Sequence, residues 1–147
     1  MVLTYAFDVY GVIKSLAEDA LDPGAWVIQT RIPDDIPSRL RDTGKTLFVM
    51  RKTGGGIARN FHGFMERALF HFSLYFTPEL DYLPLARQVS KLYFDAWANQ
   101  VVTPYGHLGH CRNGVGWEDV SDPELPLYGR AIAQFEFLIR PPRPPAP

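Results

Sequence analysis

The chain has 147 residues, 46% of them hydrophobic and 14% aromatic, with a formal net charge of -1. That length suits one domain with a sizeable core, and the apolar content excludes disorder over most of it. The near-neutral charge argues against a dedicated nucleic-acid binder, whose domain is usually basic, and the single cysteine, Cys111, excludes an internal disulfide and a disulfide-stapled secreted fold.

The opening Met1-Val2-Leu3-Thr4-Tyr5 lacks the basic region ahead of an apolar stretch that marks a signal peptide. No run approaches the ~18 consecutive apolar residues of a membrane span. The expectation is a protein made in a cytoplasm, with no membrane partner.

The first expected element is a helix, with apolar residues at Phe7, Tyr10, Ile13, Leu16, Ala17, Ala20 and Leu21. Thr4 is the expected N-cap and Asp22-Pro23-Gly24 the stop. Lys14 and Glu18 are spaced to pair across one turn. Trp26 to Ile32 reads as a short strand rich in β-branched residues, and Pro33 to Gly44 as a loop of mixed charge without a period. Thr46 to Lys52 is a strand whose consecutive Leu47, Phe48, Val49 and Met50 imply burial on both faces.

Arg51-Lys52-Thr53-Gly54-Gly55-Gly56-Ile57-Ala58-Arg59 then reads as a basic, glycine-rich loop. The run Phe64 to Phe76 is a long alternating strand with Ala68, Phe70, Phe72, Leu74 and Phe76 on one face and Arg67, His71, Ser73 and Tyr75 on the other. Together these predict a β-hairpin with the glycines at its tip. A second helix follows Thr77-Pro78, with Ala86, Val89, Tyr93, Ala96 and Trp97 facing a sheet, a Lys91–Asp95 pair outside and Pro104 as its limit. Glycines at 106, 109, 114 and 116 make Tyr105 to Val120 an irregular or bulged strand. The last strand, Tyr128 to Arg140, alternates Ala131, Ala133, Phe135, Phe137 and Ile139 against Arg130, Gln134, Glu136 and Arg140.

The predicted organisation is one α+β domain over residues 1–140, in the order α-β-β-β-α-β-β. It has a mainly antiparallel sheet and two helices on one face. Residues 141–147 form a proline-rich tail with a polyproline II preference. The long strands Phe64–Phe76 and Tyr128–Arg140 need covering or pairing if they are edges.

Chemistry-bearing motifs are sparse. A phosphate-cradling P-loop needs its lysine after the glycines and a helix behind it; here Lys52 and Thr53 come first and a strand follows. As a nucleic-acid hairpin, Arg51, Lys52, Arg59, His62 and Arg67 interleave with Phe61 and Phe64, without a basic domain behind them. His107, His110 and Cys111 lack the paired ligand spacing of a zinc site. No nucleophile elbow or positioned acid–base pair is present, so no catalytic residue, metal or cofactor is expected. A ring of identical subunits is the remaining way to cover exposed edges.

The strand ending in Phe48-Val49-Met50-Arg51-Lys52-Thr53-Gly54-Gly55-Gly56, the alternating strand behind it, the helix with Ala86-Arg87-Gln88-Val89 and the closing Arg130-Ala131-Ile132-Ala133-Gln134-Phe135-Glu136-Phe137 carry a resemblance. From about Phe7 to Arg140 the chain resembles the tail terminator proteins of long-tailed bacteriophages, most of all those infecting actinobacteria. The resemblance implies a structural virion protein, not an enzyme. It implies a hexameric ring at the head–tail junction, assembled in the host cytoplasm. Its partners would be the tail tube protein and the head–tail connector or stopper protein, with genomic DNA passing through the lumen in non-specific contact. On that reading Arg51, Lys52, Thr53, Gly54, Gly55, Gly56 and Arg59 form a loop at a subunit boundary that orders on assembly, and Arg67, His71, Arg130 and Arg140 are interface residues. Competing readings are another head–tail joining or minor capsid protein, and a small cytoplasmic enzyme or ligand-binding domain.

Overall fold

A computed structural model of the chain describes residues 8–60, 63–124 and 127–142, with the side chains of 57–64 outside that description. The expected Thr4 cap and most of the proline tail lie outside the described residues. Helix α1 spans Val9–Ala20, and Asp8 is its N-cap: the carboxylate accepts the Gly11 amide at 2.8 Å. The helix buries Val9, Val12, Ile13, Leu16 and Ala17 on one side, and Lys14 and Glu18 pair on the other at 3.6 Å. Strand β1 is Trp26–Gln29.

The first correction concerns the segment expected to be a loop. Ile36–Thr43 is helix α2. Asp35 caps it, its carboxylate accepting the Ser38 amide at 3.3 Å and the Ser38 hydroxyl at 2.8 Å, and Gly44 closes it in the left-handed conformation, φ 65°. The helix is two turns long and buries only Ile36 and Leu40, too few apolar positions to display a period. Its caps were visible all the same: Asp35 before Pro37 and Gly44 at the end.

Strands β2 (Thr46–Asn60) and β3 (Gly63–Phe76), helix α3 (Tyr82–Ala98), and strands β4 (Val102–Thr103), β5 (Gly106–Asp119) and β6 (Gly129–Arg140) complete the chain. The six strands form one sheet in the order β1-β2-β3-β6-β5-β4. Strand β1 runs parallel to β2, and every other neighbour pair is antiparallel. The parallel pair follows from α2, because a parallel return needs a crossover connection rather than a tight turn. The architecture is thus α+β, as expected, and the sheet is mainly antiparallel apart from the β1–β2 pair, which makes it mixed; among the described residues it carries three helices where two were expected.

The helices also lie on both faces. Helices α1 and α3 pack over Phe48, Met50, Phe70, Phe72, Leu74, Phe135, Phe137 and Ile139. Tyr93 of α3 stacks on Phe72 with ring centroids 5.4 Å apart and donates its hydroxyl to the Ile13 carbonyl at 2.8 Å, which ties the two helices together. Helix α2 packs on the other face, where Ile36 and Leu40 meet Leu47, Val49 and Tyr75. The uninterrupted burial of Leu47 to Met50 is explained: alternate residues serve two cores. Helix α2 covers one corner only, and β6 shows the result. Its core-facing residues are at most 2% exposed, while Arg130, Ile132, Gln134, Glu136 and Leu138 on the other face are half-buried.

The expected edge strands are internal. Strand β3 lies between β2 and β6, and β6 lies between β3 and β5. Strand β5 is the bulged strand that its glycines announced, with register shifts between Leu108 and His110, Asn113 and Val115, and Val115 and Glu118. Trp117 Nε1 anchors it by donating to Ser90 Oγ of α3 at 2.8 Å.

Candidate functional site: the ribbon and the open sheet face

The glycine segment is strand, not loop. Gly54, Gly55 and Gly56 pair with Leu69, Ala68 and Arg67, after an irregularity between Lys52 and Gly54 that leaves Thr53 as the extra residue. The chain reverses between Asn60 and Gly63, beyond the glycines. Glycine is disfavoured in strands as a type, which is why the segment reads as a loop. At Gly55 the requirement is local: φ is 134°, and an added Cβ would collide with the Arg67 carbonyl oxygen.

Strand β1 ends at Gln29, opposite Val49. Beyond that point no described strand pairs with the outer edge of β2. Strand β6 accompanies β3 only as far as Glu66, opposite Ile139. Strands β2 and β3 therefore continue as a two-stranded ribbon. Its last paired stretch, Ala58 to Asn60, overhangs the sheet by roughly 10 Å at the usual strand rise. The Arg59 side chain lies outside the described residues.

The open face beside the ribbon is cationic. On its β6 side, Glu136 holds two arginines: Arg67 at 3.1 Å and Arg112 at 3.5 Å. The Arg67 hydrogen bond holds the Glu136 carboxyl below its usual range against some desolvation, helped by the charges of Arg67, Arg112 and His110. Glu136 in turn raises the Arg67 guanidinium. Both arginines are well exposed, so these pairs add little stability.

On its β2 side the face becomes concave. A cavity of about 460 Å³ opens between the Thr30–Ile32 connection and the sheet, lined by Arg31, Arg51, Lys52, His71, Ser73 and Arg130 together with Tyr10, Thr30, Ile32 and Val49. Strand register explains the convergence: Arg51 of β2 lies opposite His71 of β3, and His71 opposite Gln134 of β6. Burial, then Arg130, then Arg51 push the His71 imidazole below its usual range. The Lys52 amide donates to the Tyr10 hydroxyl at 2.7 Å, and its ammonium lies 3.5 Å from Glu66. The Arg130 guanidinium sits 5.5 Å from the centre of the Tyr75 ring.

Of the expected interface residues, the structure gathers Arg51, His71 and Arg130 on the open face and puts Arg67 farther along it; Lys52 borders the cavity at the edge of β2, with its side chain on the α1/α3 side beside Glu66. Arg140 is separate, at the far end of β6 opposite His107 and packed by Gly109. Sequence reasoning missed Arg31, Arg112 and Glu136 as members of the face. Arg31 carries no motif; only the parallel β1–β2 pairing brings it beside Arg51. Among the described residues no three His, Cys, Asp or Glu side chains cluster to hold a metal ion. His110 packs edge-on against Trp97 at 4.8 Å, and burial pushes the Cys111 thiol up to about 12. No helix among the described residues is long and apolar enough to cross a membrane.

No family model matches the chain, and no curated protein matches it.

Proposed function

We propose that the chain is a structural virion subunit, a tail terminator. Copies of it would form a ring that ends the tail tube and joins it to the head connector, with DNA passing through the lumen. The observation that carries this reading is the ribbon: β2 and β3 run together past the ends of β1 and β6, and the outer edge of β2 is unpaired beyond Val49. Such an edge is a ready template for another chain. The other margin of the sheet, β5 beyond the two residues that pair with β4, lies at the opposite side of the sheet order and is repeatedly bulged. Two unlike margins on opposite sides suit a heterologous, head-to-tail contact, which closes into a ring when the rotation allows. The ring order of six comes from the resemblance alone.

Cryo-electron microscopy of the assembled particle tests this. A six-fold ring of this chain between tail tube and head supports it. A ring elsewhere in the neck assigns the chain to another joining component, and a chain absent from the particle sinks the reading.

A further inference from the structure

The cavity on the open face has a chemistry that ring assembly does not require. Its lining contains three arginines, a lysine and a histidine and no carboxylate. Lys52 has Glu66 as a partner. Among the described residues, Arg31, Arg51 and Arg130 have no carboxylate within ion-pair distance. The Nε of Arg130 is buried without an acceptor.

We infer that this cavity binds the phosphate group of an anionic ligand, with Arg31, Arg51 and Arg130 as the principal donors. The donors come from separate pieces of chain: the connection after β1, then β2 and β6. Two of the three stand on paired strands, which fixes their spacing before any ligand arrives. Guanidinium forks suit planar pairs of oxygens, and several forks from different directions suit a group with three or more acceptor oxygens and nearly two charges. A lone carboxylate would satisfy one fork. The volume of about 460 Å³ leaves room for an organic group beside the phosphate, and Val49, Ile32 and Tyr10 supply apolar wall for it.

His71 reports on occupancy. Arg51 of β2 and Arg130 of β6 face it and help hold its imidazole neutral, with Arg31 and Lys52 lining the same cavity. A bound anion offsets those charges, so the folded-state pKa of His71 rises on binding. Binding in turn tightens as pH falls through that titration. None of this depends on the ring.

The test uses the full chain, titrated with inorganic phosphate, with pyrophosphate and with a short single-stranded DNA, each against sodium chloride of matched ionic strength. Binding is read by calorimetry and by the imidazole resonances of His71. A saturable response that raises the His71 pKa, and that weakens about tenfold or more in Arg51→Gln and Arg130→Gln, supports the site. Arg31→Gln, on an exposed connection, gives the same loss with the fold untouched. Response to the small phosphates alone assigns a free phosphate-bearing ligand; competition of DNA with pyrophosphate assigns the phosphodiester backbone. A response equal to that of chloride, or one unchanged in all three variants, overturns the inference. Either result leaves the ring reading standing or falling on the particle map.

Discussion

The Cβ that Gly55 lacks would collide with the backbone carbonyl oxygen of Arg67 on the facing strand. Two consecutive glycines on one strand therefore do different things. At Gly55 both the left-handed φ of 134° and the close approach demand glycine, whereas Gly56 has open space around it. Gly55→Ala is expected to cost about 2–4 kcal/mol, since the obstructing atom is backbone and cannot turn aside. Gly56→Ala is expected to be neutral or to stabilise by about 0.4–1 kcal/mol, through the unfolded chain. Urea denaturation of the two variants checks this. Equal, small effects at both positions would restore the flexible-loop reading. The same contrast is open to hydrogen exchange: a paired strand predicts protected amides within Thr53 to Gly56 in the free subunit, where a loop predicts none.

Leu40 is 2% exposed and sits against Leu47, Val49 and Tyr75, in a core separate from the larger one. Leu40→Ala is expected to destabilise by about 2–4 kcal/mol, a typical large-to-small loss. In a solvent-facing loop the same change would be nearly silent. A denaturation midpoint within error of the parent would mean that α2 does not pack as described.

Leu40 also shows where the sequence was legible and where reading stopped short. Alternation in β3 and β6 identified the residues of the main core, because a strand with one buried face repeats every second residue. The pattern of Leu47 to Met50 even demanded cover on both faces, yet both expected helices were assigned to one face. The missing cover was α2, whose two inward residues are too few to form a stripe. Its cap residues were the remaining signal, and they lay among prolines and charges that read as loop.

The cationic face was harder to foresee for a different reason. Arg31, Arg51, His71 and Arg130 are scattered over a hundred positions and belong to no motif. Their convergence depends on strand order, with β6 beside β3, and on the parallel β1–β2 pairing. Composition dilutes such a patch, because the net charge of -1 averages it against acids placed elsewhere.

Alkaline pH should loosen the main core. Burial pushes the Cys111 thiol from 9.0 to about 12, and burial followed by the charge of Cys111 raises the Tyr93 hydroxyl well above its usual range. Both groups stay neutral in the folded protein where the unfolded chain would already ionise. Their contribution is therefore complete below about pH 9 and is lost progressively as pH rises toward the folded-state values. Urea midpoints measured from pH 7 to pH 11 should fall above pH 9. Cys111→Ala should lower stability at pH 7 but flatten that fall, since the residue with the lower unfolded pKa is gone. A parent protein with no alkaline loss would contradict the buried placement of both side chains.

Gly56 offers a way to separate folding from assembly. It lies at the base of the ribbon, on β2 where its outer edge is unpaired and opposite Arg67, with no atom within 4 Å of where a side chain would start. Gly56→Glu should therefore leave the monomer folded, with thermal unfolding shifted by no more than about 2–4 °C, the size of a change near 1 kcal/mol. In the proposed ring the ribbon and its base lie at a subunit boundary, where a bulky charged side chain would have to be accommodated and desolvated between two chains, which is strongly unfavourable. Light scattering and electron microscopy of the variant should then find subunits that fold but do not close into rings. Rings formed at parental yield would remove the ribbon from the boundary, and with it the observation on which the assembly proposal rests.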